Sequence, residues 1–413
     1  MAGKTVLILG GGVGGIVTAN ALRQRLNLEH RVVVMDKRAE YVFTPSLLWV
    51  MIGWRRPGQI TKDLRRLLRP GVEVLKAEVQ EIDPQRAVVR ADGDELAYDY
   101  LVVALGADLA PEAMPGFNEA AHTPFDLEGA ASLWSALGGF EGGRVAILVS
   151  AVPYKCPAAP YETALLLDNH FRRRGMRDRV EMVVYTPEPA PMGVAGPAMG
   201  RAVVGMLEAR GIGFNPELNL TRIDAAGKEL VFENPSTSSG QRREPAPFDF
   251  LVGVPPHRAP TVAREAGLAN EAGWVPVDMR TLETKAERIY AIGDITTITL
   301  PNGKPLPKAG VFAHGQAEVV ASNIAAEIEG GPRRDFDGLG YCWIEMGGGV
   351  AGFASGDFYA EPDPVVDLRQ PGRMWHWGKV LFEKYWMGDG AVRAVGHLGL
   401  ALGSKLLGIP ASL

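Results

Sequence analysis

The segment Leu7–Leu22, LILGGGVGGIVTANAL, sets Gly10, Gly12 and Gly15 between an aliphatic run and an apolar-periodic one. This spacing limits the possible folds more than any other feature of the chain. A strand that ends in Gly-x-Gly-x-x-Gly and continues as a helix opens a dinucleotide-binding βαβ unit. Gly10 permits the tight turn, Gly12 lets the backbone approach a pyrophosphate, and Gly15 lets the helix pack on the sheet. The helix start then offers free N–H groups and the positive end of its dipole to phosphate. Glycine-rich turns are common, so the flanks matter. Lys4–Leu9 reads as a strand, Gly14–Leu26 as the helix and Arg31–Met35 as a second buried strand. Asp36 follows it, where an acid can accept ribose hydroxyls.

With 413 residues the chain exceeds one ordinary domain, and two intertwined α/β units are expected. A formal net charge of −5 argues against nucleic acid as a partner, because phosphate recognition needs a basic surface. Two cysteines cannot form a structural disulfide framework; they are either unrelated buried thiols or one redox pair. No metal-ligand spacing stands out. From Met1 the chain runs directly into KTVLILGGG, with no secretory pattern, and no apolar run reaches the ~18 residues that span a bilayer. A cytoplasmic protein is expected, with peripheral membrane contact open.

Val72–Asp83, Arg86–Asp99 and Tyr100–Gly106 read as a β-meander that returns to a parallel sheet. A second unit opens at Arg144–Ser150, followed by a helix at Tyr161–Arg174 and a strand at Val180–Tyr185. Asn234–Pro247 is polar and aperiodic, as in a mobile loop. Phe248–Pro256 and Ile289–Ile295 supply further core strands, and a helix runs roughly over Ala313–Glu329. The fold expected is α/β, with two Rossmann-like domains, the second inserted in the first. The boundaries are 1–110 with 276–335, then 111–275, then a C-terminal region over 336–413.

YDYLVVALGA (Tyr98–Ala107) and TKAERIYAIGDIT (Thr284–Thr296) resemble two signatures of the two-dinucleotide-binding-domain flavoproteins. The resemblance implies FAD, with Gly293 and Asp294 closing on its ribityl chain and pyrophosphate. Members that accept hydride from a nicotinamide nucleotide carry a second glycine loop. Here the equivalent turn holds Pro153, Cys156, Pro157 and Pro160, with no glycine between Gly143 and Gly175. Proline removes the N–H donors a pyrophosphate needs.

YKCPAAPYE (Tyr154–Glu162) and YCWIEMG (Tyr341–Gly347) resemble the redox-cysteine segments of the sulfide:quinone oxidoreductases and of the flavoprotein subunit of flavocytochrome c sulfide dehydrogenase. Val42–Arg55, Leu251–Pro260 and Pro305–Ala325 are similar to the same family, so the likeness covers nearly the whole chain. It implies a Cys156–Cys342 redox pair, opened by sulfide and emptied through FAD into a membrane quinone. The third cysteine of many bacterial members is absent from Ala120–Ala130. No cysteine stands near Tyr41–Pro45, where some relatives attach FAD covalently, so noncovalent FAD is implied. Glu162 is assigned proton handling, or else the stabilisation of a helix start. Lys308 is assigned to the pyrimidine end of the flavin, or else to a surface loop. His257 belongs to the sulfur side, the quinone side or the structure.

The segment Gly372–Gly388 places Met374, Trp377, Leu381, Phe382 and Tyr385 on one helical face, with Lys379, Glu383 and Lys384 mostly opposite. It reads as a monotopic membrane anchor, with Ala391–Gly408 as a second amphipathic piece, or as a helix docked on the core or in a homo-oligomer interface. Tyr341, Phe353 and Phe358 are candidate quinone linings. The expected protein is a sulfide:quinone oxidoreductase on the inner face of the plasma membrane. The alternatives are the sulfide dehydrogenase flavoprotein subunit, a type-II NADH dehydrogenase-like enzyme and a non-catalytic flavin redox sensor.

Overall fold

The structure, a computed structural model, describes residues 3–233 and 244–409. The chain begins with β1 (Thr5–Leu9), α1 (Val13–Arg25) and β2 (Arg31–Asp36). Strand β1 is aliphatic throughout because both its faces are covered; Val6, Leu7, Ile8 and Leu9 expose no surface. Strand β3 (Val72–Lys76) pairs parallel with β2. A three-stranded meander, β4 (Val79–Asp83), β5 (Val88–Ala91) and β6 (Asp94–Ala97), then leads into β7 (Tyr100–Val103). The run Val72–Asp83 is therefore two strands rather than one. Its first half extends the parallel sheet, and the chain leaves that sheet where the Ala77 N–H bonds the Asp36 carbonyl.

The second unit comprises β8 (Gly143–Val149), α2 (Ala159–Arg173), β9 (Val180–Tyr185), β10 (Ile212–Asn215) and β11 (Phe250–Val254). Its strands form a parallel sheet in the order β10-β9-β8-β11. The chain then returns through β12 (Ile289–Ala291) and α3 (Gly310–Glu329), which completes the first sheet in the order β12-β7-β1-β2-β3. The second Rossmann-like unit is thus inserted in the first. In both sheets the strand order reverses beside the central strand, β1 or β8. The turns that follow these strands occupy the crevices where such sheets take ligands. Of the polar stretch 234–247, residues 234–243 lie outside the described residues, and Ala246–Pro247 pair with Glu229–Leu230.

The tail holds three antiparallel strands before its helices: β13 (Leu339–Gly347), β14 (Val350–Asp357) and β15 (Val365–Gly372). Helices α4 (Arg373–Met387) and α5 (Gly390–Leu407) follow. Helix α4 turns charged side chains inward, as an outward apolar anchor face requires, while Phe382 and Tyr385 of its apolar face pack partly against the core. Lys379 and Glu383 are buried, while Met374 and Trp377 are 54% and 65% exposed. The reason is that partners from distant segments meet the charges. Glu383 accepts from Arg55 Nε at 3.0 Å and from the Ser46 hydroxyl at 2.6 Å. The turn into α5 is held by buried Lys62, whose ammonium donates to the Met387 and Gly388 carbonyls and to Asp389 at 2.6 Å. Helix α5 leaves Val392, Val395, Leu398, Leu402 and Leu406 exposed. Among the described residues no helix is long and apolar enough to cross a membrane.

Candidate active site

The first crevice is shaped by its glycines. Gly10 has φ +104°, and a side chain on it would collide with the Ala104 carbonyl. One on Gly15 would run into the Gly10 carbonyl, so the close passage of α1 over the turn needs glycine there. Gly12 differs: a Cβ on it would meet nothing within 4 Å. Helix α1 starts at this open cradle with no side chain capping its N–H groups. Asp36 accepts from Gly11 N at 2.6 Å and from Arg38 N at 2.7 Å, which fixes its carboxylate at the edge of the cradle.

Gly293 and Asp294 lie just beyond β12. The Gly293 N–H donates to Gln316 of α3 at 2.7 Å. Among the described residues the Asp294 carboxylate accepts no hydrogen bond. Burial pushes its pKa up, opposed by the charges of Lys155 and Lys308. A desolvated carboxylate without a donor, beside a glycine turn, suits the polyhydroxyl chain and pyrophosphate of FAD. Lys308 spends its ammonium inward, on the Asp294 and Thr296 carbonyls at 2.7 and 2.8 Å and over the Trp274 ring at 3.5 Å. Burial lowers its pKa to about 8, against the pull of Asp294. The structure therefore gives Lys308 a role in bracing the Gly-Asp turn. His257 donates through Nδ1 to the Pro255 carbonyl at 2.8 Å, and its buried Nε2 has no partner among the described residues. Burial, then Lys155, lowers its pKa to about 4, so the ring is neutral at physiological pH.

In the second crevice the turn after β8 carries Cys156 in the left-handed region, φ 58°, an uncommon and strained state for a residue with a Cβ. Two backbone bonds hold it there: Cys156 N to the Lys308 carbonyl at 2.8 Å, and Ala159 N to the Cys156 carbonyl at 2.9 Å. The first ties the cysteine turn to the segment that braces Asp294, joining the two crevices. Cys156 keeps exposed surface, yet protein surrounds its thiol. Desolvation, then the Glu162 carboxylate, pushes that thiol up to about 12, with Lys379 opposing. Cys342, on β13, is near enough to feel Cys156 electrostatically, and desolvation followed by Glu162 and Cys156 raises it well above the usual thiol range. Both cysteines are free thiols in this structure, and the Cys342 thiol donates to the Trp343 carbonyl at 3.2 Å.

Glu162 stands in the first turn of α2 but is buried, and it does more than stabilise a helix start. Its Oε1 accepts from Glu345 N at 2.9 Å and from the Lys379 ammonium at 3.0 Å, so α2, β13 and α4 meet there. Burial lowers the Lys379 pKa, but Glu162 and then Glu345 more than offset it, and the net shift is upward. Tyr341 and Phe353 share an aromatic wall with Trp343 and Trp375; Phe353 stacks on Trp375 with centroids 4.6 Å apart. Trp343 carries the wall to Phe382 of α4 at 5.3 Å. Phe358 is elsewhere, edge-on to Phe312 at 5.0 Å.

Sequence reasoning missed Glu345, His376, Trp343 and the inward role of Lys379. It also missed Glu188, which follows β9 where an acid could serve a nucleotide. The Tyr154 and Tyr161 hydroxyls donate to Glu188 at 2.8 and 2.9 Å, and the Thr186 hydroxyl at 3.1 Å. Tyrosine at both sides of Pro157 and Pro160 was the available signal.

The family model for pyridine nucleotide-disulphide oxidoreductases matches residues 4–317. The sulfide-quinone reductase of Aquifex aeolicus is 30% identical, over 93% of this chain and 90% of that one. The mitochondrial sulfide:quinone oxidoreductase of Mus musculus is 26% identical, over 96% and 90%. The X-ray structure of the sulfide:quinone oxidoreductase from Aquifex aeolicus superposes with a TM-score of 0.85 at 27% identity, over 99% of this chain and 96% of that one. These likenesses run through the tail as well as both crevices. The chain is an FAD-binding oxidoreductase that belongs to the pyridine nucleotide-disulphide oxidoreductases and, within them, to the sulfide:quinone oxidoreductase family.

Proposed function

We propose that this protein oxidises sulfide to polysulfide or sulfur through Cys156 and Cys342 and passes two electrons by way of FAD to a membrane quinone. The observation that carries the reading is the convergence of Cys156, Cys342, Glu162 and Lys379 at one place, tied through Lys308 to the Gly293–Asp294 turn. FAD supplies the two-electron step between the sulfur side and the quinone. Gly10, Gly12, Gly15 and Asp36 bind its phosphates and ribose, and Asp294 its ribityl hydroxyls.

With both thiols pushed up, neither cysteine is an anion at neutral pH, and the attacking anion is hydrosulfide itself. It opens the oxidised Cys156–Cys342 bridge, HS⁻ + S–S → S–S⁻ + HS, leaving a persulfide anion on one cysteine and a thiol on the other. Lys379 steadies the persulfide anion, and Glu162 carries the hydrosulfide proton toward the departing sulfur. Tyr341 and Phe353, with Trp343, form the apolar wall offered to the quinone ring. The outward apolar residues of α4 and α5 rest on the membrane, at its inner face. We divide the chain at 1–110 with 276–335, 111–275 and 336–413.

Anaerobic stopped-flow tests the reading. Sulfide bleaches the flavin absorbance of the parent, and Cys156→Ser or Cys342→Ser abolishes the bleaching while retaining FAD. Bleaching by NADH, or bleaching by sulfide that survives either substitution, overturns it.

A further inference from the structure

Behind the two cysteines lies a chain of buried charges that the cysteine chemistry does not use up. Glu162 accepts the Lys379 ammonium at 3.0 Å. Beyond Lys379 stands Glu345, which has no exposed surface and whose charge also acts on Lys379. Both Glu345 carboxylate oxygens lie 3.1 Å from Nδ1 of His376. The His376 ring is 15% exposed, packed against Trp49, Trp54 and the exposed Trp377. The order from inside to outside is carboxylate, ammonium, carboxylate, imidazole.

Charge counting makes this arrangement unusual. Two buried carboxylates face one buried ammonium, so the set is one positive charge short. The nearby ions do not supply it, because Arg55 is committed to Glu383, which also has Lys384 at 3.9 Å. Of the groups facing the set from α2, β13, α4 and the Trp49–Arg55 segment, His376 is the one that both reaches a Glu345 oxygen and keeps an edge at the surface. Buried carboxylates left uncompensated are costly, and such a cluster with one member at the surface is a functional candidate.

We propose that Glu162, Lys379, Glu345 and His376 form one proton-conducting chain, entered from the exterior at His376. The inference rests on the reading above and deepens it. Oxidation of hydrosulfide with a quinone balances as HS⁻ + Q + H⁺ → S + QH₂: two electrons leave the sulfur and end on the quinone. One proton arrives with hydrosulfide and is collected at Glu162. The other comes from outside through His376 and Glu345. The two routes meet at Lys379, whose ammonium lies 5.3 Å from the centre of the Trp49 ring, one turn along α4 from Phe382, which packs on Trp343. No direct hydrogen bond joins Lys379 to Glu345 here. The swing of its flexible ammonium stem makes that link, drawn by carboxylates on either side.

The experiment uses the FAD-loaded full chain, pre-reduced stoichiometrically with dithionite and mixed anaerobically with decylubiquinone in weak buffer. A pH-indicator dye follows proton uptake while flavin absorbance follows reoxidation. His376→Ala slows both by roughly 100-fold or more, as for loss of a positioned proton-transfer group, and added imidazole restores them in a concentration-dependent way. Glu345→Gln, which keeps the shape and removes the charge, gives a similar loss that imidazole does not restore. Flavin content and melting temperature verify that each variant is folded; if His376→Ala is not, His376→Gln takes its place, without the imidazole arm. Rates within twofold of the parent in His376→Ala or its substitute overturn the proposal, as does a loss in His376→Ala that imidazole leaves untouched. Because sulfide is omitted, a failure here is separate from failure of the sulfide reading, which the bleaching experiment tests.

Discussion

A thiol pushed up to about 12 behaves in a way that can be timed. At pH 8 a Cys156 of that pKa is thiolate to roughly one part in 10⁴, against about a quarter for an ordinary thiol near 8.5. A more basic thiolate is also the better nucleophile. With a Brønsted slope of about 0.4–0.5 the shift returns roughly 25–50-fold of the ~2,000-fold deficit, leaving a reaction roughly 50–100-fold slower. The perturbation is pH, applied to the reduced Cys342→Ser chain so that Cys156 reacts alone. The probe is bis(2-hydroxyethyl) disulfide, small and uncharged, with the mixed disulfide at Cys156 counted by mass spectrometry from pH 7 to 10.5. Restricted access lowers every rate equally, but only the pKa sets the slope. The logarithm of the rate is expected to climb one unit per pH unit to the top of the range, while N-acetylcysteine levels off near pH 9. Glu162→Gln removes the second contributor to the shift and is expected to speed the reaction at pH 8. A plateau for Cys156 below pH 9.5 would refute the argument from burial, and with it the claim that hydrosulfide must bring the attacking charge. The linkage sign follows: a folded pKa above the unfolded one contributes stability that is present below about pH 8.5 and lost as pH rises toward 12.

Three further outcomes follow from the geometry. Gly12→Ala should leave the melting temperature within about a degree, since its Cβ meets no protein atom, yet lower the flavin-to-protein absorbance ratio; Gly15→Ala should destabilise the fold itself. Glu383→Ala leaves the half-buried Arg55 guanidinium and the buried Ser46 hydroxyl without their acceptor, costing about 1–3 kcal/mol. With an unfolding entropy of roughly 0.9 kcal/mol per kelvin for a chain of this length, that is about 1–3 °C in a thermal melt. Replacing Trp377, Val395, Leu398 and Leu402 by serine should reduce co-flotation with phospholipid vesicles while leaving the melt unchanged. Undiminished flotation would remove α4 and α5 as the contact.

How far the sequence was readable follows the range of the interactions. The glycine loop, β1, α1, β9 and the return through β12 are set by local periodicity and turn chemistry, and they stand in the structure within a residue or two at most ends. The strands of the tail were not legible, because glycines at Gly347, Gly348 and Gly349 and short apolar alternations mask their pairing until β13 and β14 meet. Which face of α4 turns inward was out of reach for a different reason. A helical wheel separates charged from apolar faces but does not say which faces inward, and Lys379 and Glu383 go inward because Glu162 and Arg55 wait there from far along the chain. Glu345 sat inside a segment already singled out for its cysteine. Its partner on α4 became apparent only once the strand and helix were side by side.

The cluster of Tyr154, Tyr161 and Thr186 around Glu188 bears on how this scaffold can change in evolution or in the hands of a designer. Restoring glycines after β8 would not restore a nicotinamide site. The acid following β9 is already saturated by three hydroxyls, and one of them belongs to Tyr161, which has no exposed surface. Replacing that tyrosine alone opens a void beside the helix that carries Glu162. Building a nicotinamide site here therefore takes several coordinated changes whose intermediates lose packing before they gain a ligand. The knot acts as a ratchet: each single step toward such a site is a step down in stability.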